Sequence, residues 1–251
     1  DDRDDKAKGA ADFLKVRVND LDKLTNDVSV LFFGVNVSCA QCHNHPLVED
    51  WKQDHYYGMK AFFNRTFDNG GFLAEREFGV VKFKPPKGDE RRAKMMFLTS
   101  KVIDDPGMRE PTKDEANKER EKFDKHKKDK TAPPAPAFSP RAKLVEVAFE
   151  PSEVNFFARN IANRVWHRLI GRGLVMPLDQ MHSENPPSHP ELLAWLARDV
   201  AAHAYDLKRL IRGIALSETY SRASKLASAG DSEPAPDLFA VGRLRPLTPL
   251  Q

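Results

Sequence analysis

The sequence predicts a mainly α-helical protein with a small antiparallel β hairpin or meander around residues 72–104. Apolar residues recur at helical spacing along most of the chain, which predicts amphipathic helices. Between residues 66 and 105 this spacing is lost, and short strand-like stretches alternate with turn residues. Together the two patterns favour helices that pack around a minor β element.

The composition is that of an ordinary globular chain. Of the 251 residues, 40% are hydrophobic and 31% are charged, which suffices for one large domain or two small ones. With 40 basic and 37 acidic residues the net charge is only +3, so we expect no nucleic acid partner. No apolar run approaches the roughly 18 residues that a membrane span needs. The chain opens with five charged residues, 1–5, so we expect that a signal peptide was removed or that the sequence is a fragment.

The first half of the chain contains two predicted helices besides a cysteine motif. The apolar spacing predicts one helix over residues 10–33, which Gly34 ends. A second helix is predicted over residues 53–64. Its side chains that we expect to face the core are Tyr56, Met59, Phe62 and Phe63.

Between these helices, the cysteine motif is expected to occupy a short helix of its own. Ser38 is placed to cap its start, and Gln41 follows three residues later, which is the capping-box pattern. Pro46 is expected to end or bend this helix.

The region after residue 66 carries the predicted β element. Gly70-Gly71 marks a turn, and strand-like stretches occur at 78–83 and 95–103. Residues 85–88, Pro-Pro-Lys-Gly, separate the two stretches.

A charged and proline-rich segment, 111–140, is predicted to be a linker, in part an exposed helix and in part an extended tether. It divides the chain into a domain at 1–110 and a helical domain at 141–251, which looks incomplete at its C-terminal end.

Three helices are predicted after the linker. The first covers residues 152–170 and ends at Gly171, the second begins at a capping box over 188–191, and Asp206 caps the third. The apolar stripe of the first helix comprises Val154, Phe157, Ile161, Val165 and Leu169.

The pentapeptide Cys39-Ala40-Gln41-Cys42-His43 holds both cysteines of the chain. Covalent haem attachment needs two thiols that reach the two vinyl groups of one porphyrin and an imidazole that reaches the iron from the same side. Cysteines three residues apart with histidine directly after them meet this need. We therefore expect one covalent haem c, packed among the helices, with His43 as the proximal iron ligand.

Two other chemistries use the same residues. A disulfide between Cys39 and Cys42 is one alternative, although no βαβ pattern of thioredoxin type surrounds them. A zinc site that adds His43 and His45 is the other, but these histidines lie too close in sequence for the usual looped spacing. His45 is instead expected to bind the haem indirectly, through a hydrogen bond to a propionate or to the backbone.

The group opposite His43 on the iron decides between electron transfer and reactivity. The pattern leaves it open, since it can come from within this chain or from a segment outside it. The candidates in the chain are Met59, Met95, Met96, Met108, His55 and His167.

The chain resembles a family of secreted, cytochrome c-like planctomycete proteins built from two domains of unknown function. The residues that carry the resemblance to the first domain are 32–46, Trp51, Asp54, 56–58 and 61–63. Those that carry the resemblance to the second domain are 163–166, 171–175, 185–193, 205–208 and 244–249. The resemblance implies an exported c-type haem protein, often fused to further cytochrome or carbohydrate-associated modules.

The sequence therefore predicts a periplasmic or otherwise exported monohaem protein that transfers single electrons rather than an enzyme. Its expected partner is a redox protein or another haem module. A haem enzyme or a sensor of gases or peroxide, with an open distal site, is the first alternative. A scaffold that the haem only stabilises is the second.

Overall fold

The structure is a computed structural model, and it describes residues 8–152, 154–224 and 234–242. The described residues form eight α-helices and three two-stranded antiparallel sheets. This confirms the predicted fold class. The opening residues 1–5 and the segment 244–249 lie outside the described residues. None of the helices in the described ranges has the length and apolar character that a membrane span requires.

The chain divides into two compact units. The first unit comprises Asp1–Ser29 and Val37–Glu150, and the second comprises Val30–Asn36 and Pro151–Gln251. Segment 111–140, which the sequence predicts to be a linker, belongs to the first unit. Most of it is a regular helix whose start is capped by Thr112.

The first unit combines helices with all of the strands. Its helices are α1 Lys8–Lys15, α2 Leu21–Phe33 (which continues into residues of the second unit), α3 Gln53–Ala61, α4 Lys113–Asp129 and α5 Pro140–Phe149. Its strands pair as β1 Thr66–Asp68 with β2 Leu73–Glu75, β3 Lys82–Phe83 with β4 Arg91–Arg92, and β5 Met95–Met96 with β6 Val102–Ile103.

Residues 10–33 form two helices, α1 and α2, so the single predicted helix is wrong. The break has a local cause at Asp20. Its carboxylate accepts the backbone N–H of Lys23 at 3.0 Å, which caps the start of α2. The apolar spacing continues across the break, and it therefore does not reveal where one helix ends and the next begins.

Helix α3 is the centre of the first unit. Tyr56, Met59 and Phe62 are fully buried and Phe63 is 3% exposed, which confirms the predicted core face. The helix packs directly on β5 at Gly58. A Cβ added there would lie 2.5 Å from the Met96 Cβ atom, so only glycine allows this approach.

A buried ion pair involves Arg65, which follows α3 in the chain, just before β1. The Arg65 guanidinium bonds to the Asp105 carboxylate, and the two side chains are 1% and 6% exposed. Arg65 also donates to the Glu77 carbonyl at 3.0 Å, while Asp105 accepts the Gly107 N–H at 2.9 Å. The pair therefore joins the segment between α3 and β1 to the loops on either side of the β3–β6 region.

The second unit is helical and consists of α6 Phe156–Ile170, α7 Pro190–Ala202 and α8 Leu207–Ala215. Asp206 accepts the Arg209 N–H at 3.1 Å at the start of α8, and Gly171 ends α6 with φ +94°, so both predicted caps are confirmed. The capping box predicted at 188–191 is wrong. His189 precedes α7 without a side-chain cap, because the Ser188 hydroxyl donates to the Leu174 carbonyl at 3.3 Å.

The buried face of α6 differs from the predicted apolar stripe. Val154 lies before the helix and is 39% exposed, whereas Asn160 and Asn163 are buried and only 1% and 0% exposed. Asn163 clamps the backbone of Val175, accepting its N–H and donating to its carbonyl at 3.0 Å each. Polar residues thus lie at the centre of the buried face of α6. Hydropathy predicts that such residues lie on the exposed face, and the predicted apolar stripe is therefore wrong.

Replacing the clamp by Asn163→Ala is expected to lower the free energy of unfolding of the second unit by about 3 kcal/mol. Two hydrogen bonds are lost, and the buried N–H and C=O of Val175 are left without partners. Urea unfolding followed by far-UV circular dichroism measures the loss. Asn155→Ala is the control, because it removes the α6 cap and should cost only about 1 kcal/mol. Equal losses in the two variants would contradict the clamp.

Candidate functional site

The cysteine pentapeptide lies in the first unit on one turn of 3-10 helix, Ser38–Gln41, with Cys42 directly after it. Val37 occupies the N-cap position and no side chain caps the turn, so the predicted capping box of Ser38 and Gln41 is wrong. The turn ends well before Pro46. What holds it in place is its inner side, where Val37 and Ala40 are fully buried.

The 3-10 conformation brings the two thiols to one face of the turn. A 3-10 helix has three residues per turn, so side chains at positions i and i+3 lie above one another. Cys39 is inside the turn, and Cys42 keeps helical backbone angles, φ −95° and ψ −31°. Both thiols are exposed and neither is in a disulfide. Two aligned, accessible thiols are the arrangement that attachment to one planar ligand requires.

The imidazole of His43 is exposed and is hydrogen-bonded to the backbone. Its Nδ1 atom lies 2.6 Å from the backbone carbonyl oxygen of Asn44. A carbonyl oxygen only accepts hydrogen bonds, so Nδ1 carries the proton. In a neutral ring of this tautomer the lone pair is on Nε2, and Nε2 is the atom through which such a histidine binds a metal.

His45 is engaged with the backbone of its own loop. Its ring Nδ1 atom accepts the N–H groups of Leu47 and Val48 at 3.2 and 3.1 Å, and the backbone N–H of His45 donates to the Trp51 carbonyl at 2.8 Å. These three bonds shape the loop that follows the pentapeptide. Leu47 at the tip of this loop is 81% exposed.

Three polar side chains that are not among the predicted haem-binding residues tie the pentapeptide to α3. The carbonyl of Gln41 accepts bonds from the Gln53 side-chain amide at 3.2 Å and from the Tyr57 hydroxyl at 3.0 Å. The side-chain oxygen of Asn44 accepts the backbone N–H of Gln53 at 3.1 Å. A polar residue at the first position of a helix is common, so nothing in the sequence marks Gln53 as part of the site.

The candidates for a sixth iron ligand lie in different surroundings from the exposed pentapeptide. Met59 and Met95 are buried, with exposed fractions of 0% and 1%, while Met96 and Met108 are partly buried. His55 is 6% exposed, and burial lowers its pKa. Both of its ring nitrogens have partners, the Lys52 N–H at 3.2 Å and the Ser100 hydroxyl at 2.9 Å. His167 belongs to the second unit, and burial lowers its pKa as well.

A zinc site of Cys39, Cys42, His43 and His45 finds no support in the geometry. Among the residues that the structure describes, no three or more His, Cys, Asp or Glu side chains converge on a common point where a metal ion fits. The Nδ1 atom of His45 is turned to the backbone of its own loop.

The site thus defines a helical unit that presents two free thiols and a metal-competent imidazole on one exposed turn. Residues 2–68, which include this turn, match the family model PSCyt2, "Protein of unknown function (DUF1549)". Residues 140–251 match PSD1, "Protein of unknown function (DUF1553)". The chain therefore matches two planctomycete-type domains of unknown function, which confirms the resemblance at the level of its domains. No curated protein and no solved structure matches the chain.

Proposed function

We propose that this chain is an exported c-type haem protein that carries one covalent haem and transfers single electrons. The observation that carries the proposal is the hydrogen bond from His43 Nδ1–H to the Asn44 carbonyl, which leaves Nε2 available on an exposed ring. The same exposed turn presents the thiols of Cys39 and Cys42. Those two thiols, followed by this imidazole, are the donor set that haem c takes.

The residues present fit the attachment chemistry. Each thiol would add across one vinyl group, its sulfur forming a thioether and its hydrogen going to the neighbouring carbon, so no oxidant or reductant is consumed. His43 would supply the proximal nitrogen to the iron. When bound, the haem supplies a metal centre that takes up and releases one electron. The chain's own part is to orient that ring and to hold the loop around it.

The features of the loop suit electron transfer. On one side of His43, Gln53 of α3 binds the Gln41 carbonyl. On the other side, Gln53 binds Asn44, and His45 binds the backbone of the loop that follows. A pinned ligand changes its position little between oxidation states, which favours fast exchange of an electron. The exposed turn is also accessible to a redox protein or a second haem module. The proposal includes export, which the resemblance to secreted proteins implies.

The test is an absorption spectrum and an intact mass, both measured on protein expressed in a host with a c-type maturation system. We expect a Soret band, haem that stays with the chain after denaturation, and a reversible one-electron titration. Purified protein without covalent haem would overturn the proposal. Free thiols in that sample, counted by alkylation, would show that attachment and not expression had failed.

The placement of the candidate ligands supports a second function, a haem enzyme or sensor with an open distal position. Met59 and Met95 are in the core and both nitrogens of His55 are engaged. Ligand binding distinguishes the two functions. Rapid and complete binding of carbon monoxide by the reduced protein indicates the open site, whereas a six-coordinate spectrum that resists carbon monoxide indicates electron transfer.

A further inference from the structure

Gln53 contacts the chain on both sides of the dipeptide Cys42-His43. Its side-chain amide donates to the carbonyl of Gln41 at 3.2 Å, and its backbone N–H donates to the side-chain oxygen of Asn44 at 3.1 Å. Gln53 is itself buried, with only 4% of its surface exposed, and it is the first residue of α3. One residue of the core helix therefore spans the second cysteine and the histidine.

Asn44 passes this anchoring on to the imidazole. Its side-chain oxygen is held by Gln53, and its backbone carbonyl accepts the Nδ1–H of His43 at 2.6 Å. The first N–H groups of a helix have no partner within the helix, so the start of α3 offers a ready donor for Asn44. Fixing the side chain of Asn44 restricts the direction in which its carbonyl points, and hence the plane of the His43 ring.

Tyr57 reinforces the same anchor from the next turn of α3. Its hydroxyl donates to the Gln41 carbonyl at 3.0 Å, and its ring stacks on Phe83 with 4.2 Å between ring centres. Burial raises the pKa of the Tyr57 hydroxyl, so it stays protonated and remains a donor. The carbonyl before Cys42 is thus held by two donors from one helix.

We infer that Asn44 and Gln53 are positioning residues for the axial ligand, which set the orientation and the basicity of the His43 imidazole. This inference rests on the proposed haem. A partner that accepts the Nδ1–H strengthens Nε2 as a donor to a metal. A stronger donor favours the oxidised iron, so the contact from α3 through Asn44 to His43 lowers the reduction potential.

Asn44→Ala is expected to raise the reduction potential of the haem. The carbonyl of residue 44 is no longer held, its bond to His43 weakens, and the reduction equilibrium shifts toward the ferrous form by about three- to tenfold. A tenfold shift corresponds to about 59 mV for one electron. Asn117→Ala is the matched control, since Asn117 is exposed on α4 in the same unit, and it should leave the potential unchanged.

Gln53→Pro removes the donor of the same hydrogen bond, the one between the Gln53 N–H and the Asn44 side chain. Proline is favoured at the first position of a helix and lacks the N–H that Asn44 accepts, and Lys52 before it is already extended, with φ −105° and ψ 163°. Gln53→Ala keeps that N–H and loses only the bond to Gln41. The potential should therefore rise more in Gln53→Pro than in Gln53→Ala. Combining Gln53→Pro with Asn44→Ala should add little to the rise seen in Gln53→Pro, because both changes remove the same bond between the Gln53 N–H and the Asn44 side chain.

In the apoprotein, the tautomer of the His43 ring can be measured without haem. With the thiols alkylated, the ¹⁵N shifts of the His43 ring should report one tautomer, protonated at Nδ1. Asn44→Ala and Gln53→Pro should give a mixture of tautomers, whereas Asn44→Asp, which keeps an acceptor for the Gln53 N–H, should restore the single form.

The two proposals fail in different ways. Wild-type protein without covalent haem would overturn the proposed function, and the ring tautomer would still test the positioning residues. Haem that attaches normally, with the same potential and the same tautomer in Asn44→Ala, Gln53→Pro and wild type, would overturn the inference alone.

Discussion

Replacing both thiols, Cys39→Ser with Cys42→Ser, is expected to abolish covalent haem while leaving the first unit folded. Both side chains are exposed and unpaired, so the substitution removes no core contact and no cross-link. Surface changes of this kind usually alter the free energy of unfolding by less than about 0.5 kcal/mol. Denaturing gels stained for haem and intact mass measure the attachment, and thermal unfolding of the apoprotein measures the stability.

The single variants make this prediction sharper. Cys39→Ser and Cys42→Ser should each keep one thioether, because either thiol can react alone with its own vinyl group. Haem that survives denaturation in the double variant would contradict attachment at the pentapeptide. If the double variant fails to fold while the wild-type apoprotein folds without haem, the thiols have a structural role instead.

Asp105→Asn is expected to lower the free energy of unfolding of the first unit by about 3–5 kcal/mol. The substitution keeps the size of the side chain but leaves the Arg65 guanidinium, 1% exposed, without its counter-charge. Removing one partner of a buried pair leaves an uncompensated charge in a region of low dielectric constant. The loss of stability is then much larger than the net stabilisation that the intact pair provides. Chemical denaturation followed by circular dichroism gives the difference.

Glu150→Gln is the matched control for this prediction. It makes the same chemical change in the pair of Lys101 and Glu150, whose side chains are both 46% exposed. Exposed pairs contribute at most about 1 kcal/mol, since water screens both charges. Similar losses in Asp105→Asn and Glu150→Gln would show that burial of the Arg65 pair does not govern its energy.

Features set by near neighbours in the sequence were predictable. The helix start at Asp206 and the helix end at Gly171 depend on one side chain or one backbone angle, and both predictions are confirmed. The core face of α3 is confirmed too, because its large apolar side chains recur at helical spacing.

The same rules fail where a distant residue competes for a group. Ser188 is predicted to cap α7, but it lies one residue before the N-cap position of His189, and its hydroxyl bonds to Leu174. On α6 the amides of Asn160 and Asn163 are buried because backbone groups elsewhere in the unit need partners, Leu31 for the first and Val175 for the second. Hydropathy counts such residues as surface, and the predicted stripe is therefore displaced from the true buried face.

The candidate site shows both kinds of information. Two cysteines and a histidine within five residues define a possible chemistry without any knowledge of the fold, because spacing along the backbone alone brings these groups together. The orientation of the His43 ring depends on Gln53, ten residues away, through Asn44. Hydrogen bonds between distant residues arise only when separate segments pack, and for this reason the tertiary structure alone reveals that Gln53 holds the Asn44 side chain beside His43.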